Sequence, residues 1–361
     1  MKHLFIFGMY RSGTTTLSKT IDCIDKVVVK NDAFFFWFKA IRNLLIKKKI
    51  LKNSLFNDYL FSEEQNQLFN KLQKIDIKKK IFKKKTFVKN VLINTKKYQP
   101  GLEKKILQNK GKTYYSFLKT FLNDIAKEKK NVEYTGIKEV WLTEFYPILK
   151  KNYKDSKFIF LIRDPRAIIA SSLFNKNSNY DISFLANQWR KIATLSKMYF
   201  EKDKKNILLI KYEDFIMNFG KEIKRIELFL NIKSTPTKKI IEDLQNIKKW
   251  KQNTTFSYKN KNKYLNKKSI NHWKKKLKTD QIKLIEFILY EEMKMFSYKK
   301  KFIKKNDINK KITELKFLTK QMKSTQIQNE IDRKLIFYNK KQFEKLYFLN
   351  KEAFKILEKY N

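Results

Sequence analysis

Apolar and polar positions along this chain fall into blocks whose period changes from block to block. His3 to Gly8 (His-Leu-Phe-Ile-Phe-Gly) is a continuous apolar run, the mark of a strand buried on both faces. A glycine-bounded loop follows to Gly13, then helical periodicity from Thr14 to Asp25, and Val27-Val28-Val29 predicts a second strand. From Phe34 to about Asn131 the pattern is helical and rich in lysine, broken near Gln99-Pro100-Gly101. This stretch reads as an insertion or lid outside the sheet. Strand character returns at Tyr134–Lys138, with a helix through Leu149, and Lys157–Ile162 carries the strongest strand signal of all. Helices are predicted over Arg166–Leu173, Ser183–Phe200 and Phe215–Leu230, with a strand over Asn206–Tyr212.

Strands alternating with helices predict an α/β fold, a central parallel sheet flanked by helices on both faces. After Lys233 the sequence is polar and turn-rich to about Lys268, then helical from Asn271. The expected organisation is one α/β domain over 1–300, with a helical insertion at about 41–130, and a lysine-rich helical C-terminal extension over 301–361. No internal repeat of solenoid period is present.

Composition changes this picture little. The 361 residues carry a formal net charge of +48, which taken alone suggests a polyanionic partner. The basic residues, however, are 76 lysines and 7 arginines, beside abundant Asn, Ile and Phe and only 6 Gly and 4 Pro. That joint skew fits an A- and T-rich coding background, and readers of nucleic acid lean on the arginine fork, which lysine cannot reproduce. Nucleic acid is therefore not the expected partner, while loose association with a membrane surface stays open. Against so strong a lysine background, each arginine points to a place where a guanidinium is needed. They are Arg11, Arg42, Arg163, Arg166, Arg190, Arg225 and Arg333. The single Cys23 excludes an internal disulfide and a cysteine zinc site, and His3 and His272 are too far apart in sequence to suggest a metal centre. No run approaches the ~18 apolar residues of a membrane span, and the apolar stretch after Met1-Lys2 is too short for a signal peptide. The expected setting is the reducing cytoplasm, with no metal.

Two motifs carry chemistry. The first, Phe7-Gly8-Met9-Tyr10-Arg11-Ser12-Gly13-Thr14-Thr15-Thr16, leaves a buried strand and opens a helix, so its amides and the positive helix end would face an anion. Gly8 and Gly13 keep the spacing of a P-loop, but Thr14 stands where a nucleotide-hydrolysing P-loop has lysine, and the cation is Arg11 within the loop. A sulfuryl group in transfer carries less charge than a phosphoryl group and needs no metal to neutralise it. The bland alternative is a glycine turn capped by Ser12 or Thr14. The second motif, Phe158 to Ser172, places Arg163 at the end of a strand, where α/β sheets bind ligands, with Ser171 about two helical turns on. Asp164 and Pro165 suit a helix cap followed by the first helical position. Here the alternative is an ordinary strand-to-helix turn with Arg163 in an ion pair.

Together the motifs resemble the sulfotransferases that use 3′-phosphoadenosine 5′-phosphosulfate (PAPS), in their carbohydrate and tyrosylprotein branch, which have a P-loop-type fold. By this resemblance Arg11, Ser12, Gly13, Thr14, Thr15 and Thr16 surround the phosphosulfate, and Arg163 and Ser171 bind the 3′-phosphate. Lys211-Tyr212-Glu213-Asp214-Phe215 is similar to the family's strand-ending segment whose tyrosine, here Tyr212, approaches the nucleotide. Gly136-Ile137-Lys138-Glu139 is similar to its lysine-bearing strand. Asn266 to Trp273 is similar to its late nucleotide loop, where glycines of the family are replaced by Lys267-Lys268-Ser269-Ile270-Asn271, with Lys267 the candidate contact. The resemblance covers about 1–40 and 130–298. It implies PAPS as co-substrate and a hydroxyl acceptor, expected to be a carbohydrate or glycolipid.

Transfer needs a base for the acceptor proton. The family's glutamate about twenty residues past the phosphosulfate loop corresponds to Asp32, the first candidate, whose alternative role is to cap the next helix. Glu139 is the second candidate, and Lys138 the candidate for stabilising charge on the transferring group. Glu213 and Asp214 read as helix caps. Phe34, Phe35, Phe36 and Trp37 offer rings for a sugar, but their helical spacing equally suits a core. Two other classes compete. A P-loop kinase would require magnesium and a lysine at position 14, and a non-catalytic polyanion binder would leave two anion motifs at strand ends unexplained.

Overall fold

The computed structural model describes residues 1–47, 74–140, 143–174, 180–246 and 265–304. Much of the 41–130 insertion, most of the turn-rich stretch before Lys268 and nearly all of the C-terminal extension lie outside the described residues. Five strands form one sheet: β1 (Lys2–Gly8), β2 (Val27–Asn31), β3 (Tyr134–Val140), β4 (Ser156–Ile162) and β5 (Ile207–Lys211). All pairings are parallel and the order is β2-β3-β1-β4-β5. The helices among the described residues are α1 (Thr14–Asp22), α2 (Phe35–Lys47), α3 (Lys84–Tyr98), α4 (Glu103–Leu107), α5 (Tyr114–Ala126), α6 (Tyr146–Asn152), α7 (Pro165–Leu173), α8 (Ile182–Lys202), α9 (Tyr212–Met217), α10 (Phe219–Leu230), α11 (Thr237–Asn246), α12 (Lys268–Asn271), α13 (Trp273–Lys276), α14 (Thr279–Ile288) and α15 (Tyr290–Met295).

The described chain divides into two compact units. One holds 1–47, 74–140, 143–162, 196–246 and 265–267; the other holds 163–174, 180–195 and 268–304. The first contains the whole sheet. Its strands are largely buried because both faces are covered, and Leu4, Phe5, Ile6 and Phe7 have no exposed surface. Phe5 stacks on Phe158 at 5.4 Å and Phe7 on Phe160 at 5.9 Å, with Tyr146 edge-on to Phe158 at 4.7 Å. Register matters most for function. Gly8 pairs with Val140 and Leu161, Asn31 with Lys138, and Ile162 with Lys211, so the carboxyl ends of all five strands finish at one edge of the sheet.

Within the stretch read as an insertion, α5 packs against β3. A reciprocal capping box between Thr113 and Ser116 starts it, and Phe117, Leu118, Phe121, Leu122 and Ile125 are buried along one stripe. Phe34 lies 4.5 Å from Phe121, and the Trp37 indole donates to the Tyr114 carbonyl at 2.9 Å. Phe34 and Trp37 are therefore core residues, unavailable to a sugar, whereas Phe35 and Phe36 are half-buried.

Two boundaries differ from the expected ones. The helix expected over Phe215–Leu230 begins at Tyr212 and breaks at Asn218, whose amide closes onto the Asp214 carbonyl at 2.8 Å. The polar stretch after Lys233 contains α11, whose Ile240 and Leu244, one turn apart, are its only buried side chains. So narrow a stripe gives little periodic signal among lysines.

The second unit is built around two buried arginines. Arg190 pairs with Glu292 at 3.2 Å and donates to the Ile288 carbonyl and to Asn187. Glu286, fully buried on α14, pairs with Arg166 at 2.6 Å and accepts the backbone amides of Lys301, Phe302 and Ile303, which pins that segment in place. No helix among the described residues is long and apolar enough to cross a membrane.

Candidate active site

The first anion motif folds as its sequence suggests. β1 ends at Gly8, where an added Cβ would lie 2.8 Å from the Leu161 carbonyl oxygen and 2.7 Å from the Thr14 methyl. The loop then turns through two left-handed residues, Arg11 at φ 66° and Gly13 at φ 95°. Only glycine fits the second, since a Cβ there would meet the Tyr212 ring at 2.3 Å. Tyr212, buried just after β5, therefore backs onto the loop. Ser12 is fully buried and its hydroxyl donates to the Met9 carbonyl at 2.5 Å, holding the loop closed. Gly13 is the N-cap of α1 and contributes no side-chain cap, so no side chain covers the helix start as an ordinary cap would. Thr14 and Thr16 are buried and Thr15 half-buried on its first turn.

Beside this loop stands a charged cluster. The Lys138 ammonium on β3, 1% exposed, lies 2.5 Å from Asp32 Oδ2 and 3.4 Å from Thr15 Oγ1. One buried cation thus joins the phosphate loop to the candidate base. The Asp32 side chain is 16% exposed, although its Oδ1 is buried. Its other oxygen, Oδ1, has no hydrogen-bond partner among the described residues. Glu139, the next residue on β3, is fully buried, and its Oε1 accepts the Phe34 amide at 2.5 Å at the start of α2. The capping role weighed for Asp32 is thus filled by Glu139. Burial pushes the Glu139 carboxyl well above the usual range and the Asp32 charge adds to this, while the Phe34 amide and Lys138 act in the opposite sense.

In the second unit the other motif also takes the expected local form. Asp164 is the N-cap of α7, accepting the Arg166 amide at 2.9 Å, and Pro165 opens the helix. Its two arginines part company. Arg166 is committed to structure: it forks onto both Asp164 oxygens at 3.0 and 2.7 Å, pairs with Glu286, and lies 4.0 Å over the Trp273 ring. Arg163 is 8% exposed, its Nη2 donates to the Ser269 carbonyl at 2.7 Å, and its own carbonyl accepts the Trp189 indole at 2.8 Å. The late loop suggested by sequence, through Ser269 and Trp273, is therefore fastened to this motif. Ser171 is half-buried on α7, and Lys267 is exposed.

A nucleotide bearing phosphates fits these residues. The strained loop ends in an uncapped helix start, an aromatic ring backs it, and no group of three or more carboxylate, histidine or cysteine side chains that could hold a metal occurs among the described residues. A sequence model of the sulfotransferase domain matches residues 1–297, most of the chain. This chain belongs to the sulfotransferase family. It is thereby a PAPS-dependent sulfotransferase, an enzyme of sulfuryl transfer. Among solved structures, this sulfotransferase is similar to the sulfotransferase domain from the curacin biosynthetic pathway, at 14% identity and a TM-score of 0.49, over 82% of this chain and 97% of that one. It is similar to the sulfotransferase domain of the Synechococcus PCC 7002 olefin synthase, at 13% identity and 0.47, over 83% and 95%. It is also similar to a retinol dehydratase solved with retinol and PAP, at 17% identity and 0.39, over 81% of each chain. No curated protein matches the sequence.

Three polar residues at this site escaped the sequence reading. Asn94 and Thr95 on α3, with Gln99 just beyond it, hydrogen-bond to the backbone on either side of Asp32. The signal available was slight: an Asn-Thr pair, poor helix formers, late in a helix that already carries Thr86 and Asn90 among its lysines and apolar residues.

Proposed function

We propose that this sulfotransferase moves the sulfuryl group of PAPS to a hydroxyl on a carbohydrate or glycolipid, with Asp32 as general base. The observation that carries the reading is the Lys138 ammonium between Thr15 Oγ1 and Asp32 Oδ2. It sets the proton acceptor one side chain away from the loop that would hold the donor. When bound, PAPS supplies a sulfuryl group on a phosphate leaving group. Arg11, Ser12, Gly13, Thr14, Thr15 and Thr16 bind its 5′ end, through loop amides, hydroxyls and one guanidinium. Arg163 and Ser171 bind the 3′-phosphate, Tyr212 shields the nucleotide, and Lys267 is the late-loop contact. Asp32 Oδ1, which lacks a partner among the described residues, takes the acceptor proton. Lys138 holds Oδ2 and places positive charge where the leaving oxygen gains negative charge. Glu139, fully enclosed, is the less suitable base and serves to fix the start of α2.

The lone Cys23, pushed by burial up to about 12, is suited to a reducing cytoplasm where it stays an inert thiol. A kinase reading gains nothing from the site, since Thr14 is buried with its methyl group against Gly8.

The test is thermal stabilisation by adenosine 3′,5′-bisphosphate (PAP) against ATP with magnesium, at moderate salt. A melting-temperature rise with PAP that shrinks in Arg163→Ala is the expected result. A rise with magnesium-ATP alone would overturn the reading.

A further inference from the structure

We propose that Asn94 is a positioning residue for sulfuryl transfer, and that α3, with Gln99 beyond it, braces the loop that presents Asp32. The inference rests on Asp32 being the general base.

Asp32 is a β-carbon-bearing residue held at φ 49°, a left-handed conformation that costs roughly 1–2 kcal/mol outside glycine and is retained only where surrounding structure enforces it. β2 ends at Asn31, so the ladder holds only one side of the bend, through the Asp32 amide on the Lys138 carbonyl at 2.8 Å. Further hydrogen bonds to the bend come from α3 and its end. The Asn94 amide donates to the Asp32 carbonyl, the Thr95 hydroxyl to the Ala33 carbonyl at 3.4 Å, and the Asn31 amide to Gln99 Oε1 at 3.2 Å. Ser18 on α1 completes the set by donating to the Asn31 side chain. Three consecutive residues, Asn31, Asp32 and Ala33, are thus each met by a different side chain from 94–99.

The geometry explains why a brace is needed. The Lys138 ammonium is buried and fixed on β3, and it is met by a carboxylate whose second oxygen, itself buried, has no hydrogen-bond partner among the described residues. A peptide rotation at Asp32 would swing both oxygens together, breaking the ion pair and misaiming the unpartnered Oδ1. Asn94, 6% exposed, hydrogen-bonds to the one carbonyl whose direction reports that rotation. Small misplacements of a reacting group cost large factors in rate while leaving the remote binding contacts intact.

The experiment uses the full chain with [³⁵S]PAPS and water as the sulfuryl acceptor, read as inorganic sulfate released, together with calorimetric PAP binding and melting temperature. In that reaction the water oxygen bonds to sulfur, the bond to the bridging phosphate oxygen breaks, its electrons leave with PAP, and the water proton passes to Asp32. Asn94→Ala should lower kcat about 10- to 100-fold, with KM for PAPS and Kd for PAP changed less than twofold. Gln99→Leu, at the other end of the bend, should lower kcat in the same direction by a smaller factor and serves if Asn94→Ala does not fold. Asn94→Ser, a shorter donor, should recover part of the loss. Unchanged kcat in both variants, beside an inactive Asp32→Asn, would overturn the proposal and leave Asp32 as base. A kcat loss matched by equal loss of PAP affinity would also overturn it, showing a structural role only. Full activity in Asp32→Asn would instead overturn the reading on which the proposal rests.

Discussion

The two motifs at the strand ends of this protein are held by different means. The loop from Gly8 to Thr16 and the bend at Asp32 take left-handed backbone conformations, fixed by close approaches and by neutral side chains that hydrogen-bond to main-chain groups. The Arg163 motif is held by side-chain forks: a buried Arg166 clasped by Asp164 and Glu286, and a Trp189 indole on the Arg163 carbonyl. Strain of the first kind is kept where function requires an exposed geometry, and buried ion pairs of the second kind fix a local arrangement at high cost if halved. Lesions in the first region should therefore strike turnover and ligand binding, whereas lesions in the second should separate into folding and binding according to which arginine is touched.

The largest effect should come from the strained region. Asp32→Asn removes the proposed proton acceptor and should reduce kcat by about 10²–10⁴, the usual span for a lost general base, measured by sulfate release. Because it leaves the Lys138 charge without its carboxylate, the melting temperature should fall as well. Next in size, Arg166→Ala leaves Glu286 and Asp164 buried without their cation, a loss of about 3–5 kcal/mol in denaturant titration. If Arg166→Ala instead folded normally and only lost PAP affinity, the two arginines would not differ as described.

Arg163→Ala should weaken PAP by about 10- to 100-fold, the worth of a charge-assisted hydrogen bond to phosphate, with little change in unliganded stability. Gly13→Ala forces a side chain into a left-handed position against Tyr212 and should cost at least about 1–2 kcal/mol of stability, with weakened PAP binding. The smallest effect tests the scaffold away from both motifs. His3, at the start of β1, is lowered to about 4, first by burial, then by the N-terminal charge and Lys119, against the opposing Asp155. The unfolded chain then binds a proton near 6.5 that the folded chain refuses, so stability is full above pH 6.5 and declines towards pH 4. Between pH 6.5 and 5.5 the loss from this group should be about 1 kcal/mol, and it should vanish in His3→Gln.

What was legible in the sequence follows the same division. The central strands were the most visible because a sheet covered on both faces writes itself as apolar runs, as at Phe5 and Phe160. The turn after β1 was visible through Gly8, Arg11 and Gly13, and the cap at Asp164 and Pro165 through residue types with a single local job. Against so many lysines, the scarce arginines were informative: Arg166, Arg190 and Arg225 all proved to fork onto carboxylates or carbonyls. Partners distant in sequence were not legible. Nothing near Asp32 announces Asn94, Thr95 and Gln99, and nothing at Glu139 shows that its oxygen meets Phe34 rather than a substrate. The break at Asn218 and the helix over Thr237–Asn246 were hidden because they rest on few buried positions.

The central proposal is that Arg163 reads a 3′-phosphate and that the loop around Gly13 holds the 5′ end. Calorimetric titration with PAP and with 5′-AMP, in the natural protein and in Arg163→Ala, tests it most directly. The account predicts that the natural protein prefers PAP to 5′-AMP by about 10- to 100-fold and that Arg163→Ala binds the two alike, with its 5′-AMP affinity unchanged. Equal affinity for both nucleotides in the natural protein, or an undiminished preference for PAP in Arg163→Ala, would contradict it.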